Sequence, residues 1–117
     1  MRHVVRQPKG IETKPLTEPV LLILISLADK PKHGYALIKD IDVLSNGRVR
    51  LSTGTLYGAL RRLLENEWIE PFDEHDRSRE KQAYKLTREG RGQLQLELQR
   101  LRQLTHAAST RLRTREV

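Results

Sequence analysis

The sequence lacks cysteine, which excludes disulfide bonds and thiolate metal sites from this chain. It also lacks long apolar runs. The longest, Val20 to Leu27, is far shorter than the roughly 20 residues that a membrane-spanning helix needs. That run lies too far along the chain, and lacks the cleavage signal, for a secretory peptide. With 117 residues the chain is long enough for one domain, which we expect to be cytoplasmic.

Motifs for catalysis are absent as well. There is no phosphate-binding loop, no Gly-x-Gly-x-x-Gly and no nucleophile elbow. The alternative of a weak surface metal site rests on His75 with Glu74 and Asp76. The histidines otherwise show no metal-ligand spacing; they are His3, His33, His75 and His106. We therefore expect neither an enzyme, nor a resident metal, nor a cofactor.

Acidic residues are outnumbered, with 15 Asp and Glu against 22 Lys and Arg, a formal net charge of +7. A balance this positive favours a polyanionic partner, usually nucleic acid and less often an acidic membrane surface. The alternative is that the charge serves only solubility.

The first helix is predicted to follow Thr17, a good N-cap, with Glu18 and Pro19 in its first turn. Val20 to Leu27 is apolar nearly all round, so both sides of this helix should be buried. One side can face its own domain, and the other is a first hint of a partner chain.

A second helix is predicted from about His33 to Leu44, with Leu37, Ile41 and Leu44 on one face. Asn46-Gly47 is a typical C-terminal turn pair. The alternating segment 48–50, Arg-Val-Arg, is predicted to form one brief strand.

The stretch Leu51 to Glu70, LSTGTLYGALRRLLENEWIE, predicts a third helix that Ser52 or Thr53 caps and that ends near Asn66. Its leucines share one face, and its outward face carries Thr55, Gly58 and Arg62. Small hydroxyl residues at an exposed helix start are typical of a recognition helix, whose first turn enters the DNA major groove and whose N–H groups suit a phosphate. The buried stripe consists of Leu56, Leu60, Leu63 and Leu64.

A hairpin directly after such a helix is the wing of a winged helix. Residues 68–72 and 82–86 are predicted as its strands, with the charged tip 73–81 between them. The basic half of the tip, Arg77 to Lys81, is expected to lie along a phosphate backbone or in a minor groove. The alternative is a solvated loop.

The last helix is predicted to start at Thr87 and to carry one apolar stripe about five turns long. Because a helix of this length leaves its small domain, the stripe is expected to pair with its own copy across a two-fold axis. The alternative is a seam folded back on the same chain. Leu96, off the stripe, is expected to pack against the winged helix. The stripe is Leu94, Leu98, Leu101, Leu104, Ala108 and Leu112.

Three segments, HGYALIKDI, LSTGTLYGALRRLLENEWIE and AYKLTREGR, occur in this order after a short apolar helix, and with them the chain resembles the PadR family of transcriptional regulators over about residues 18–112. The resemblance implies a homodimeric winged-helix protein, usually a repressor, often released from its operator by a small molecule or a stress signal. The chain departs from the family pattern at Gly58, where proline is frequent, and at Trp68, where glycine is common.

The predicted sites follow from both arguments. By resemblance, Tyr35, Ser52, Thr53, Thr55 and Tyr57 would contact DNA or position the recognition helix. Residues expected to contact double-stranded DNA are Tyr35, Ser52, Thr53, Thr55, Tyr57, Arg61, Arg62, Arg77, Ser78, Arg79 and Lys81. Residues expected in the dimer interface are Leu22 and the six of the stripe. By resemblance, a site for a flat apolar effector is expected between the final helices and the first helix of the partner, lined by Leu22, Trp68, Leu98, Leu101 and Thr105. The alternative is a dry, well-packed interface.

The predicted fold is mainly α with a small β-hairpin, a winged helix-turn-helix plus a long C-terminal dimerisation helix. Its parts are a basic N-terminal arm at residues 1–16, the DNA-binding domain at 17–86, the dimerisation helix at 87–112 and a frayed tail at 113–117. The predicted function is a sequence-specific DNA-binding regulator, a homodimeric repressor that acts on an inverted-repeat operator and is released by a small molecule or a stress signal. A rival within this class is a regulator with no effector. The alternative is a winged-helix module that binds protein and has no specific DNA site.

Overall fold

The computed structural model describes residues 15–72 and 82–115, which form four helices and a three-stranded antiparallel sheet. The predicted fold class is confirmed. Strand β3 lies in the centre of the sheet, between β1 and β2. The elements in chain order are α1 (Glu18–Leu27), β1 (Lys32–His33), α2 (Gly34–Leu44), α3 (Thr53–Glu65), β2 (Ile69–Phe72), β3 (Ala83–Leu86) and α4 (Arg88–Arg115).

Helix α1 begins where its cap predicts, because the Thr17 hydroxyl oxygen accepts a hydrogen bond from the backbone N–H of Val20 at 3.3 Å. Ile23, Leu24 and Leu27 are almost fully buried within the single chain. The apolar side chains around α1 are therefore buried largely by their own domain. Helix α1 needs a partner chain less than the sequence pattern indicated.

A partly buried polar network links α1 to α2 and β1. The hydroxyl of Ser26 donates to Oδ2 of Asp40 at 2.5 Å, and the ammonium of Lys32 donates to the Ser26 carbonyl oxygen. Lys32 also pairs with Asp29 at 2.7 Å. Since buried polar groups are costly when unpaired, this network holds one relative position of the two helices.

The brief strand was predicted in the wrong place. Lys32 was predicted to lie in a break and His33 at the start of the second helix, but they pair with Tyr84 and Ala83 of β3. Residues 48–50 form no strand. Both edges of β3 are taken by β1 and β2. The segment 48–50 is instead held by its own turn, in which the N–H of Val49 donates to Ser45 Oγ at 2.9 Å.

Helix α2 ends at Leu44, and the predicted turn pair Asn46-Gly47 follows its C-cap with φ of 55° and 80°. The N–H of Gly47 donates to the Asp42 carbonyl at 2.8 Å, the closing bond of a Schellman motif. Leu44 faces outward more than expected and is partly exposed, while Leu37 and Ile41 are buried.

Helix α3 ends in a second Schellman motif, in which the N–H of Trp68 donates to the Leu63 carbonyl at 3.0 Å. The left-handed position here is Glu67, with φ of 65°, a conformation that favours glycine. Trp68 follows it and is 3% exposed, so its indole belongs to the core.

Helix α4 is 28 residues long, about 42 Å, and Thr87 caps it by accepting from the N–H of Gly90 at 2.9 Å. Leu96 was predicted to lie on the side of α4 that packs against the winged helix. This prediction is wrong, because Leu96 is 45% exposed. The packed face of α4 carries Gln93, Leu94 and Glu97. Two of these are polar, so a search for apolar residues does not find them.

The chain ends also differ from the prediction. Leu16, assigned to the arm, packs against the hydrophobic core. Residues 113–115, assigned to a frayed tail, belong to α4. Pro15 is exposed, and residues 1–14 of the arm lie outside the described residues.

Candidate nucleic-acid interface

The start of α3 is an exposed, polar helix end. Ser52 is its N-cap and accepts from the N–H of Thr55 at 3.1 Å, and its own hydroxyl reaches Thr55 Oγ1 at 3.0 Å. Ser52, Thr53, Gly54 and Thr55 are all exposed. Their helix turn is anchored from below by Leu56, which is fully buried. Because first-turn N–H groups have no partner within a helix, this surface combines backbone donors, hydroxyls and the positive end of the dipole.

Tyr57 lies half-buried between the two helices of the helix-turn-helix. Its hydroxyl end covers Gly34 so closely that a Cβ at Gly34 would lie 2.5 Å from the Tyr57 oxygen. The side chain therefore packs over the start of α2, and glycine at position 34 makes room for it. The resemblance implies two roles for Tyr57, contact with DNA or positioning of the recognition helix. This geometry supports the second, the positioning of α3 against α2.

Tyr35, the one aromatic side chain of α2, is 70% exposed. The ammonium of Lys39, one turn later, lies 5.8 Å from the centre of its ring. This pair gives α2 a cationic, aromatic surface of its own.

The two arginines of α3 are both exposed but lie beyond its first turn. Arg62 lies in the last turn and lines a cavity of about 200 Å³ together with Leu16 and Trp68. It is therefore close to the start of α1, about two turns from Thr55. The predicted wing contacts, Arg77, Ser78, Arg79 and Lys81, lie outside the described residues, as does the candidate group around His75.

The predicted dimer seam divides into a packed half and an open half. Leu22 and Leu94 are buried within their own chain, and Leu98 and Leu101 are partly buried. The other half is exposed: Leu104 by 52%, Leu112 by 65%, and Ala108 between them. The same face of α4 that packs on the winged helix thus continues beyond it, where residues 15–72 and 82–115 leave it exposed.

Two of the predicted effector residues differ in their exposure within the described part of the chain. Thr105 is exposed on α4, whereas Leu22, a residue of α1, is buried. Trp68 does line a cavity, the one with Arg62 and Leu16 described above, together with Val20, Leu63 and Asn66.

Sequence reasoning missed Glu97, a carboxylate that is only 6% exposed. Arg100 donates to both of its oxygens, at 3.1 and 2.5 Å. These bonds, and to a smaller extent one from the backbone N–H of Leu16, hold the pKa of Glu97 below its usual value although burial opposes them. The i, i+3 spacing of Glu97 and Arg100 is the one signal that the sequence offered.

Two further findings concern the described ranges, 15–72 and 82–115. They contain no group of three or more potential metal ligands. No helix within them is both long and apolar enough to cross a bilayer.

The fold and this exposed helix start define a winged-helix protein of the DNA-binding type. The family model of the PadR-like transcriptional regulators matches residues 23–96. The chain therefore belongs to the PadR-like family of transcriptional regulators. Because the family consists of transcriptional regulators, the prediction that the chain is not an enzyme is confirmed.

Three similar proteins illustrate the relationship. A PadR-family transcription regulator from Clostridium difficile is 26% identical, with a TM-score of 0.67 over 82% of this chain and 99% of that one. The Bordetella bronchiseptica protein BpsR, whose DNA binding is regulated by 6-hydroxynicotinic acid, is 19% identical, with a TM-score of 0.63 over 86% of this chain and 70% of that one. A 37.1 kDa protein of transposon TN4556 from Streptomyces fradiae is 39% identical over 85 residues, which are 73% of this chain and 23% of that protein. This chain thus spans about a quarter of that relative.

Proposed function

We propose that this chain is a homodimeric, sequence-specific DNA-binding repressor that inserts the first turn of α3 into the major groove. The observation that carries the proposal is the capped start of α3, where four small or hydroxyl residues in succession, Ser52 to Thr55, are exposed on a helix whose other side is buried in the core. Bulky side chains would keep a helix away from base edges, whereas these let its backbone approach. Tyr35 with Lys39 on α2 is placed to contact the flanking backbone.

Selection of bound duplexes from a random pool tests this function directly. If the protein is a dimer that presents two copies of α3, the enriched sequences should be inverted repeats with half-sites about one helical turn apart. A pool without enrichment would favour the alternative function, a winged-helix module that binds another protein.

The open half of the α4 stripe supports the homodimer. Leu104, Ala108 and Leu112 extend the packed face of α4 into solvent, and large exposed leucines in a row are typical of an interface. A second copy related by a two-fold axis presents the same face, so the seam is self-complementary.

Replacing Leu104 by Glu should raise the dissociation constant of the dimer about 100-fold, because a carboxylate without a partner would be buried in the seam. Gln99→Glu is the matched control, since it adds the same charge on the opposite, exposed side of α4 and should leave the dimer unchanged. Light scattering and sedimentation at micromolar concentration measure the result. A wild-type chain that is monomeric under these conditions would contradict the homodimer.

An effector that releases the protein from DNA is the finer part of the proposal. A site between the two final helices would use Leu98, Leu101 and Thr105 of both copies, with Leu22 and Trp68 at its edge. This site is supported by the exposure of these α4 positions, which the described part of their own chain does not fully bury. The effector-regulated DNA binding of BpsR is a precedent on the same fold.

A further inference from the structure

We propose that the groove between the end of α3, strand β2 and the start of α4, here called the acidic groove, binds residues 1–14 of the basic N-terminal arm of the same chain. The groove measures about 430 Å³. Its lining combines carboxylates with apolar side chains. The carboxylates are those of Glu67, Glu70 and Glu89, and the apolar side chains are those of Leu64, Ile69 and Pro71.

The charge of the groove is opposite to that of the whole chain. Three glutamates and one arginine, Arg88, among its described lining give a net charge of −2, whereas the chain carries +7. Glu70 lies 3.5 Å from Lys85, in a pair that is about half exposed on both sides. Within residues 15–72 and 82–115, Glu67 and Glu89 form no ion pair. The groove therefore offers carboxylates to a cationic occupant.

The arrangement of these carboxylates favours an extended basic segment over a metal ion. The described ranges contain no group of three or more potential metal ligands, so the three carboxylates do not converge on one point. Strand β2 is at the edge of the sheet, but Pro71 has no N–H, and a peptide could not continue the full hydrogen-bond ladder there. The groove therefore recognises side chains, namely cations spaced along a chain with apolar residues between them.

The N-terminal arm joins the described structure beside this groove. Leu16 packs against the hydrophobic core and its N–H is bonded to the buried Glu97, so the root of the arm is held in place. Pro15 and Leu16 lie beside Asn66 at the end of α3, and the next residue, Glu67, lines the groove. The segment 1–14 spans up to about 50 Å when extended, so it reaches the groove without displacing its root.

The sequence of the arm matches the groove in charge and in apolar character. Residues 1–14 carry four cations against one carboxylate, Glu12, and aliphatic residues lie between the cations. Exposed ion pairs are individually weak, but a segment tethered by a short linker meets its site at an effective concentration of about 1 mM, so several weak contacts are enough. The cations are Arg2, Arg6, Lys9 and Lys14, and the aliphatic residues are Val4, Val5 and Ile11.

The acidic groove lies at the opposite end of α3 from the turn that we assign to DNA. Helix α3 has 13 residues, which correspond to about 20 Å. An arm held in the groove keeps its four cations at that distance, and DNA phosphates compete with the carboxylates for them. This consequence rests on the proposed DNA-binding function, whereas binding of the arm to the groove does not.

The test uses the full-length ¹⁵N-labelled protein with a nitroxide spin label on the arm. The chain has no cysteine, so Gln7→Cys introduces a single labelling site and leaves the charge of the arm unchanged. At about 10 mM salt, where the Debye length is roughly 30 Å, the amide resonances of Glu67, Glu70 and Glu89 should be lost through paramagnetic broadening. At about 1 M salt, where the Debye length is roughly 3 Å, they should recover.

Two double variants separate a built site from general attraction of the arm to acidic residues. Glu67→Gln with Glu89→Gln should restore the groove resonances at low salt. Glu18→Gln with Asp42→Asn, which removes the same charge from α1 and α2, should leave them broadened. Equal effects of the two double variants, or groove resonances that the spin label never broadens, would overturn the proposal.

A mixed sample tests whether the arm binds to its own chain. Spin-labelled chains without ¹⁵N are combined with ¹⁵N-labelled chains without the spin label, so that only contacts between chains cause broadening. The groove resonances should then keep their intensity, and their loss would show that the arm binds a second copy, which contradicts the proposal. Since no DNA is present, all these outcomes are independent of the proposed repressor function.

Discussion

Raising the salt concentration from about 50 to about 200 mM is expected to weaken binding of the dimer to its operator roughly 1,000-fold. Lys and Arg side chains that neutralise phosphates release condensed counterions, and several such contacts in each subunit give a slope of log K against log[salt] of about −5 or steeper. The net charge of +7 provides enough cations for these contacts. Fluorescence anisotropy of a labelled duplex at four or five salt concentrations measures the slope.

The same titration separates the two candidate functions. A protein-binding module that uses its charge only for solubility would show little affinity for the duplex and a nearly flat slope. A random duplex of equal length is the control. It should bind more weakly but with a comparable dependence on salt, since that dependence comes mainly from the phosphates.

Replacing Gly90 by Ala should destabilise the protein by about 3 kcal/mol or more, or detach α4 from the winged helix. A Cβ at this position would lie 2.8 Å from the carbonyl carbon of Trp68 and closer still to its oxygen. That oxygen already accepts from the N–H of Thr87 at 3.0 Å, so the backbone cannot move aside without losing the bond. Overpacking against backbone costs more than against a flexible side chain.

Gly92→Ala is the matched control for Gly90→Ala, because a Cβ at Gly92 would meet no atom within 4 Å. It should stabilise α4 by up to about 1 kcal/mol, the difference in helix propensity between glycine and alanine. Urea denaturation of both variants measures the two free energies of unfolding. Equal values for the two variants would mean that the close approach of α4 to Trp68 does not determine stability.

Local signals in the sequence were enough to place the helices. Thr17, Ser52 and Thr87 each cap the helix that follows them, and Asn46-Gly47 closes α2. These are interactions within one turn, so neighbouring residues in the sequence already contain the information.

Long-range pairing was not predictable in the same way. Strand β1 is two residues long and has no alternating pattern, and it is a strand only because the edge of β3 accepts it. The DNA-contact and interface residues remain predictions, and those in segment 73–81 lie outside the described ranges.

The buried face of α4 could not be predicted from the sequence for a related reason. Glu97 is buried because Arg100 and the N–H of Leu16 satisfy its carboxylate, a condition that depends on the folded chain. Reading only the apolar residues of the helix therefore assigned Leu96 to the packed side. The buried Nε1 of Trp68 has no hydrogen-bond acceptor in the described ranges, which is likewise a property of the fold and has no counterpart in the sequence pattern.

The central claim, that the first turn of α3 faces DNA, is tested most directly by replacing Thr55 by Glu. Position 55 is the third residue after the Ser52 cap, where a glutamate completes a capping box, so the free energy of unfolding should stay the same or rise. On DNA the new carboxylate would face phosphates, and like charges in contact cost several kcal/mol. We therefore predict an operator affinity at least about 100-fold lower in a protein that is as stable as the wild type. Gln99→Glu, which makes the same change of charge on the exposed side of α4, should bind as the wild type does. An affinity for Thr55→Glu equal to that of Gln99→Glu would contradict the account.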